Sequence, residues 1–511
     1  MNQPAPVIGK NVIETLTLGM YEDPRFIFRE YIQNAADQID VAVEQEILSN
    51  RAAGKITISI DSTARTIIVE DNATGIPSNR MRAFLSDVAN SEKEVNKRKG
   101  FRGIGRLGGL GYCGKLIFES SFKGELVKNT MTLNAKLLKS IIENREDKSD
   151  AAKVISVITT FATGKSGLDE HYFKVKLVDV TNDLLLKLTE VKQYLSMVAP
   201  VSFHKDFKFK AEIETFFKSR GFALEEYDIN VNKDPIFKAY KNKLITNNAN
   251  KPSIVTSVDF FEVLDDAEKV LAVGWYGIFN RVNEVINDKN LERGIRLKKQ
   301  NITIGDAQTI IDRFPVERTT FRYIGEIHTI SDGFIPNARR DYFNDNRTVE
   351  QFEASLKKIF DKFESGLPHK ASDLHNRKKN VENFKNLNAA YKEDLTTFET
   401  SEEQEQRLNE VLNALGVARN AARILDKLKE EGDDIKILGD LFTDIIGEFD
   451  YQITEDEVDE LYEDVEIPPL DFDKVNDSEK RLLNEVVIFL QKELGHREAA
   501  PLIAKMQSKY N

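Results

Sequence analysis

The amino-acid sequence predicts an α+β protein in three parts, two α/β regions followed by a helical C-terminal region. Three observations carry that expectation. A segment with helical spacing of apolar residues, Arg25–Leu48, gives way to alternating runs at Lys55–Asp61 and Thr66–Asp71. Seven of the 27 glycines fall between Gly100 and Gly114. Beyond Leu367 glycine becomes sparse, and Lys, Glu, Leu, Asn and Ala dominate with helical periodicity. Apolar residues three and four apart share one face of a helix, whereas strict alternation puts them on one face of a strand. With 511 residues, 41% of them apolar, the chain can bury several cores.

Each element follows in order. Tyr21-Glu22-Asp23-Pro24 reads as a turn, and a proline is tolerated in a first helical turn, where its missing N–H has no partner anyway. The first long helix is therefore expected from near Pro24. Lys55–Asp61 and Thr66–Asp71 read as a hairpin that ends in the loop Asn72–Pro77. Residues 78–99 are polar and charged, and Lys115–Ser121, Val154–Phe161 and Tyr172–Leu177 read as strands. Leu184–Val198 has helical spacing until Ala199-Pro200-Val201 interrupts it, which places the first domain at residues 1–190. The second is expected at 191–365, with strands at Ser253–Val263 and Val270–Phe279 and loops at Arg293-Gly294 and Ser331-Asp332-Gly333. The third, 366–511, is helical, with Leu408, Val411, Leu412 and Leu415 on one face.

Charge and composition remove several classes of function. No apolar run approaches the roughly 18 residues of a membrane helix, and MNQPAPVIGK lacks the layout of a secretory signal. The expectation is a soluble cytoplasmic protein without a membrane partner. Cys113 is the single cysteine and the six histidines are scattered, which removes a disulfide scaffold and a Cys/His structural metal site. The net charge of -12 argues against a surface that tracks nucleic acid throughout. Fourteen acidic residues lie between Glu448 and Glu479 against Lys474 alone. This segment, 448–479, reads as a solvated connector, with a docking site for a basic partner or a nucleic-acid mimic as the alternative.

Three elements carry chemistry. Glu30, Asn34 and Asp37 lie at i, i+4 and i+7 and so share a helix face. A carboxylate can deprotonate a water, and an asparagine oxygen is a hard ligand suited to Mg²⁺. At the end of the second strand, Asp71 can accept a hydrogen bond from an exocyclic amine, while Gly75, followed by Ile76, allows close backbone approach. The third element, Gly100-Phe-Arg-Gly103-Ile104-Gly105, offers backbone N–H groups to a phosphate chain, with Lys97, Arg98, Lys99, Arg102 and Arg106 nearby. Gly103-x-Gly105-x-x-Gly108 matches a dinucleotide fingerprint but follows the charged stretch Ser91–Lys99 instead of a strand. Gly164-Lys165-Ser166 lacks the glycine five positions earlier that a Walker loop requires, having Thr159 there.

A helix with Glu-x-x-x-Asn-x-x-Asp, a strand-end Asp with Gly four residues on, and a Gly-x-x-Gly-x-Gly loop, in that order within 80 residues, resemble the GHKL ATPases. That superfamily includes gyrase-type topoisomerases, ninety-kilodalton heat-shock chaperones, histidine kinases, MutL and MORC. The resemblance implies a Bergerat-fold ATP-binding sandwich, a transducer-like middle domain, and ATP with Mg²⁺ as ligands. It casts Glu30 as the water-activating base, Asn34 as the Mg²⁺ ligand and Asp71 as the adenine anchor. Gly100, Gly103 and Gly105 become phosphate-contacting glycines, and Asp37, Gly75, Ile76, Lys99 and Ile104 flank the nucleotide. Two positions depart from the pattern: Ala73 stands where the family usually has the first glycine of Asp-x-Gly-x-Gly, and no Gly-Thr precedes Tyr172–Leu177.

Among the branches, a histidine kinase is disfavoured because no histidine precedes His171. Tyr194–Val201 resembles the start of the middle domain of heat-shock-type chaperones, and Ile335-Pro-Asn-Ala-Arg339-Arg340-Asp341 resembles their Pro-x-Asn-x-x-Arg-Glu segment. The resemblance makes Arg340 the first choice and Arg339 the second for reaching the terminal phosphate, with Lys298 and Lys299 as competitors. It implies an ATPase clamp, closing a lid at about residues 78–102 and pairing two N-terminal domains in a homodimer that acts on a protein client. The alternatives are a DNA-associated clamp resembling MORC or MutL, and a nucleotide-sensing regulator of a partner enzyme in a bacterial defence system.

Overall fold

The computed structural model describes residues 8–15, 22–86, 105–144, 146–247, 252–280, 284–365, 367–394, 401–434, 439, 442–443, 445–454, 457, 461 and 475–510. They form two compact units, Met1–Lys362 and Phe363–Asn511.

The first unit opens with α1 (Asn11–Glu14) and α2 (Phe26–Glu44). α2 ends four residues before the expected Leu48 because Glu46 turns left-handed at φ +58°. The N–H groups of Ile47 and Leu48 then both return to the carbonyl of Ala42, at 2.8 and 3.1 Å, satisfying the helix end as a left-handed cap does. Leu48 still reaches the core.

Strands β1 (Lys55–Asp61) and β2 (Thr66–Asp71) pair antiparallel with Ile56 opposite Asp71. Their alternation buries Ile56, Ile58 and Ile60 on one strand and Ile67, Val69 and Asp71 on the other. Asp71 is thus turned inward by the same period of two that buries its apolar neighbours.

Next come α3 (Ser78–Ser86), β3 (Lys115–Ser121), β4 (Val127–Asn134), α4 (Ala135–Glu143), α5 (Ala151–Ile158), β5 (Thr159–Lys165) and β6 (Tyr172–Val178). The strand expected at Val154–Phe161 is corrected here: residues 151–158 are helical, and the strand begins only at Thr159. Asp150 caps the helix by accepting from the Lys153 N–H at 2.7 Å. Val154, Ile155 and Ile158 then bury one helical face, so a short apolar run fits either period and the cap decides. Likewise Leu184–Val198 is not one helix. A 3₁₀ turn, Asp183–Leu186, precedes α6 (Leu188–Val198), and Lys187 between them is extended.

The chain continues through α7 (Lys210–Ser219), β7 (Asp228–Val231), β8 (Asp234–Pro235) and β9 (Lys243–Leu244). Then follow β10 (Ser253–Leu264), β11 (Val270–Phe279), β12 (Gly294–Lys299), β13 (Ile302–Ile304), β14 (Ile324–Thr329) and α8 (Arg347–Ser365). The first sheet has the order β5-β4-β3-β6-β2-β1-β7-β8, so its last two strands come from beyond residue 200. β7 lies parallel to β1, with Ile229 beside Ile56, and Ile229 and Val231 enter the first core.

The second sheet, β13-β12-β14-β11-β10-β9, packs around Trp275, the single tryptophan, together with Phe203, Phe207 and Tyr240. Beside this aromatic cluster Glu326 accepts from Lys238 Nζ at 2.6 Å and His328 Nε2 lies 3.1 Å away. Lys298 Nζ lies 3.4 Å from the same carboxylate. All four groups are fully buried. Burial pushes the Lys298 ammonium down to about 7 and the His328 ring down to about 4. It acts upward on Glu326, yet Lys238 and Lys298 hold that carboxyl well below its ordinary range.

In the second unit, α9 (Leu367–Asp394) and α10 (Ser401–Asp434) pack along one another, and α11 (Asp477–Tyr510) ends the described chain. α9 buries Val381, Phe384, Asn388 and Tyr391, and α10 buries Val411, Leu415, Ala418, Ala422 and Leu425. These alternating steps of three and four are the seam of paired helices. Much of the acidic segment 448–479 lies outside the described residues.

Breaking a buried pair leaves a charge uncompensated. Glu326→Gln should therefore destabilise the first unit by about 3–5 kcal/mol, read from the denaturant midpoint of Trp275 fluorescence. An unchanged midpoint would disprove the buried network.

Candidate active site

α2 is buried on nearly every side: Ile27, Ile32, Ala36, Ile39 and Ala42 are at most 1% exposed. Its apolar residues anchor it in the interior of the domain. α2 rests on β1 and β2, and its polar residues are carried into the interior with it. Glu30 and Asp37 are buried, and Asn34 is half-buried on the same face.

The 3₁₀ segment Gly105–Tyr112 crosses α2. A Cβ on Gly105 would lie 2.1 Å from Glu30 Oε2, so a side chain there would push this carboxylate from its place. The Tyr31 hydroxyl ties the segment down, donating to the Arg106 carbonyl at 3.3 Å and accepting from the Gly109 N–H at 3.1 Å. Lys97, Arg98, Lys99, Gly100, Arg102, Gly103 and Ile104, which the sequence assigns to the phosphate loop, lie outside the described residues.

The loop after β2 is held from several sides. Asp71 Oδ1 accepts from the Ala73 N–H at 3.0 Å, and the Ala73 carbonyl lies 2.7 Å from His171 Nδ1. Ala73 has no positive φ, so its backbone needs no glycine here. Gly75 does: its φ is +69°, and a Cβ would meet the Ser121 carbonyl at 1.9 Å. The Ile76 N–H donates to Ser120 Oγ at 2.7 Å, and Thr74 Oγ1 donates to Gln38 Oε1 at 2.9 Å. His171 lies just ahead of β6. Burial raises the Asp71 carboxyl from 3.8 to about 7, against the pull of the Ala73 and Phe173 N–H groups.

The last component comes from the loop between β14 and α8. Arg340 Nε faces Glu30 Oε1 at 3.1 Å, and Arg29 Nε lies 3.9 Å from the same oxygen. Arg29 also donates through Nη2 to the Arg339 carbonyl at 3.4 Å. Arg340 adopts a left-handed φ of +57°, a costly conformation for a side chain. Its carbonyl accepts from the Gly305 N–H at 2.8 Å and its N–H donates to the Asn337 carbonyl at 3.2 Å. Gly305 is itself left-handed, with the Asp341 carbonyl 2.5 Å from where its Cβ would be.

Of the four cations that the sequence offers for a terminal phosphate, Arg340 sits on Glu30 and Arg339 offers Arg29 its carbonyl. Lys298 Nζ is turned into the core, donating to the Met197 carbonyl at 2.8 Å, and Lys299 Nζ donates to Ser331 O at 3.0 Å. Arg29, Gly305, Ser120 and Thr74 are contributors that the sequence alone did not reveal. Arg29 could have been suspected from its place beside Glu30; the other three depend on contacts between distant segments.

Comparison with known proteins reaches part of the first unit. Residues 30–164 match the family described as histidine kinase-, DNA gyrase B-, and HSP90-like ATPase. Over 87 residues the chain is 31% identical to the chaperone protein HtpG of Chlorobium phaeobacteroides (strain DSM 266), covering 16% of this chain and 14% of that relative. The likeness to GHKL-type ATPases is confined to this N-terminal segment. Among the described residues no helix is long and apolar enough to cross a membrane.

A carboxyl whose folded-state pKa is raised contributes stability that is complete below its unfolded value and is lost as pH rises through the folded value. For Asp71 the loss falls between about pH 4 and pH 7. The permanently neutral Asp71→Asn should therefore gain stability over the wild type between pH 5 and pH 8, by no more than about 4 kcal/mol. Urea denaturation of both proteins at the two pH values checks this, and an equal difference at both would show that Asp71 is not desolvated.

Proposed function

We propose that the chain hydrolyses ATP and uses the reaction to drive a chaperone-type clamp. The pairing of Glu30 with Arg340 at 3.1 Å carries this reading, because it joins the helix of the ATP-binding domain to a loop of the second α/β region. Glu30 acts as general base toward the attacking water, and Arg340 spreads positive charge over the terminal phosphoryl group. Drawing the two from segments so far apart in the chain makes hydrolysis depend on how these regions dock. The likeness to HtpG supports the chaperone branch, and the net charge of -12 weighs against a DNA clamp.

The residues present suit a nucleotide triphosphate with Mg²⁺. Gly105 places bare backbone against Glu30, and Gly75 turns the adenine-side loop without a side chain. Asn34 would hold Mg²⁺ through its amide oxygen, and the ion, when bound, neutralises phosphate charge. Asp71, assisted by the polar groups of Thr74 and Ser120, accepts a hydrogen bond from the adenine amine, and Asp37 supports this wall from the interior. Lys99, Gly100, Gly103 and Ile104 are assigned to the phosphate chain on sequence alone. The full reading includes closure of a lid near residues 78–102, pairing of two N-terminal domains in a homodimer, and action on a protein client.

Glu30→Ala should keep ATP affinity within a few-fold while phosphate release falls by about 10²–10⁴; lost affinity would mean that Glu30 binds and does not activate. Arg340→Ala should keep nucleotide affinity within about tenfold and lower turnover by about 10²–10³. Wild-type turnover in that variant would remove the arginine from the mechanism. Asp71→Asn should abolish ATP binding by calorimetry, and intact affinity would reject the adenine wall.

A further inference from the structure

On α2 the residue one turn beyond Glu30 is Gln33, which is 1% exposed. Neither end of its amide meets a hydrogen-bond partner: both Oε1 and Nε2 are buried and unmatched among the described residues. At about 100° per residue, Gln33 lies about 60° around the helix from Glu30, on the flank it shares with Arg29. The loop carrying Arg339 and Arg340 covers that flank, since Arg29 meets the Arg339 carbonyl and Glu30 meets Arg340. The same flank holds two further unmatched atoms: Arg29 Nε has no acceptor, and Glu30 Oε1 meets its arginines as charges without a hydrogen bond.

Buried amides are almost always paired, and a neutral amide offers both a donor and an acceptor. Unmatched polar atoms on two successive turns, beside a carboxylate, suit a small polar guest that both donates and accepts. A water is such a guest, and a phosphate oxygen can take the remaining donor.

We propose that Gln33 is a positioning residue for hydrolysis, orienting the attacking water toward the terminal phosphorus together with Glu30. This rests on the ATPase reading above. The water oxygen bonds to the terminal phosphorus as the bond from phosphorus to the bridging oxygen breaks, and ADP leaves with that electron pair. The water proton passes to Glu30 and from there to the product phosphate. Gln33 keeps its own protons. Its Oε1 accepts from the second water hydrogen, and its Nε2 donates to a terminal phosphate oxygen.

Gln33→Met keeps length and volume and removes both polar ends. The full-length variant should melt, without nucleotide, at or above the wild-type temperature, because two unmatched polar atoms are gone. Its affinity for a non-hydrolysable ATP analogue should stay within threefold, and kcat should fall at least tenfold. Gln33→Glu adds a carboxylate one turn from Glu30, which already faces Arg29 and Arg340 and has Asp37 two turns along. In that variant the acid limb of the kcat–pH profile should move to higher pH, a change that a packing role would not produce. Wild-type kcat in Gln33→Met, or parallel loss of melting temperature and analogue affinity, would overturn the assignment. Glu30→Ala separates the two readings. If it abolishes release while Gln33→Met is normal, only Gln33 is misassigned; if the wild type releases no phosphate, the ATPase reading fails and takes Gln33 with it.

Discussion

Glu30 and Arg340 lie 3.1 Å apart, each 7% exposed, and much of the first unit is organised around that contact. Taking both charges out of water costs several kcal/mol, which their attraction does not reliably return. The surroundings must therefore hold the pair in place. On one side, Glu30 is fixed by a helix whose apolar residues are embedded in the first core. On the other, Arg340 is held by a loop closed by the Pro336–Phe343 bridge, by the Gly305 N–H, and by Asn337 Nδ2, which donates to Asp341 Oδ1 at 2.5 Å. The left-handed backbone of Arg340 persists because these bonds over-determine it.

The joint between the regions is equally specific. The Met197 carbonyl, near the C-terminal end of α6, receives Lys298 Nζ and Thr303 Oγ1 from the second sheet. Further along α6, the Tyr194 ring lies 5.0 Å from the Arg25 guanidinium at the start of α2. α6 is thus bound at one end to the strands that precede the Arg340 loop and along its side to the helix that carries Glu30. β7 adds a second tie, since a strand from beyond residue 200 completes the first sheet beside β1. The two α/β regions share structure at more than one place, and the geometry of the Glu30–Arg340 pair inherits that stiffness.

Local signals made much of this legible. Alternation marked β1 with the bounds observed, and the runs at Thr66–Asp71, Lys115–Ser121 and Val270–Phe279 match β2, β3 and β11, the last buried almost throughout instead of alternating. The helix spacing put Glu30, Asn34 and Asp37 on one face, and strand parity alone accounts for the burial of Asp71. What stayed hidden was set by contacts far apart in sequence. The return of Asp228–Val231 to β1 leaves no local trace in so short a strand. Burial of Lys298 runs against the habit of lysine to remain at the surface, and it depends on Glu326, from a different strand. The stretch Val154–Phe161 failed for another reason: its apolar run satisfies both periods, and only the Asp150 cap selects the helix.

The two carboxylates of the candidate site, finally, sit in different environments. Asp71 sits at a strand end among apolar neighbours, with N–H groups of Ala73 and Phe173 as its partners, and burial raises it to about 7. Glu30 is as buried but faces the guanidinium groups of Arg29 and Arg340. A carboxyl that can hold its proton near neutrality suits hydrogen bonding with a neutral heterocycle, where a fixed charge would be costly to desolvate. A carboxylate beside arginines is placed for proton removal, provided something draws the arginine aside. A phosphoryl group with several anionic oxygens competes for a guanidinium on better terms than one carboxylate does. In the proposed ATPase reading, the same Arg340 would neutralise Glu30 before a nucleotide arrives and its phosphate afterwards, releasing the base once the substrate is in place.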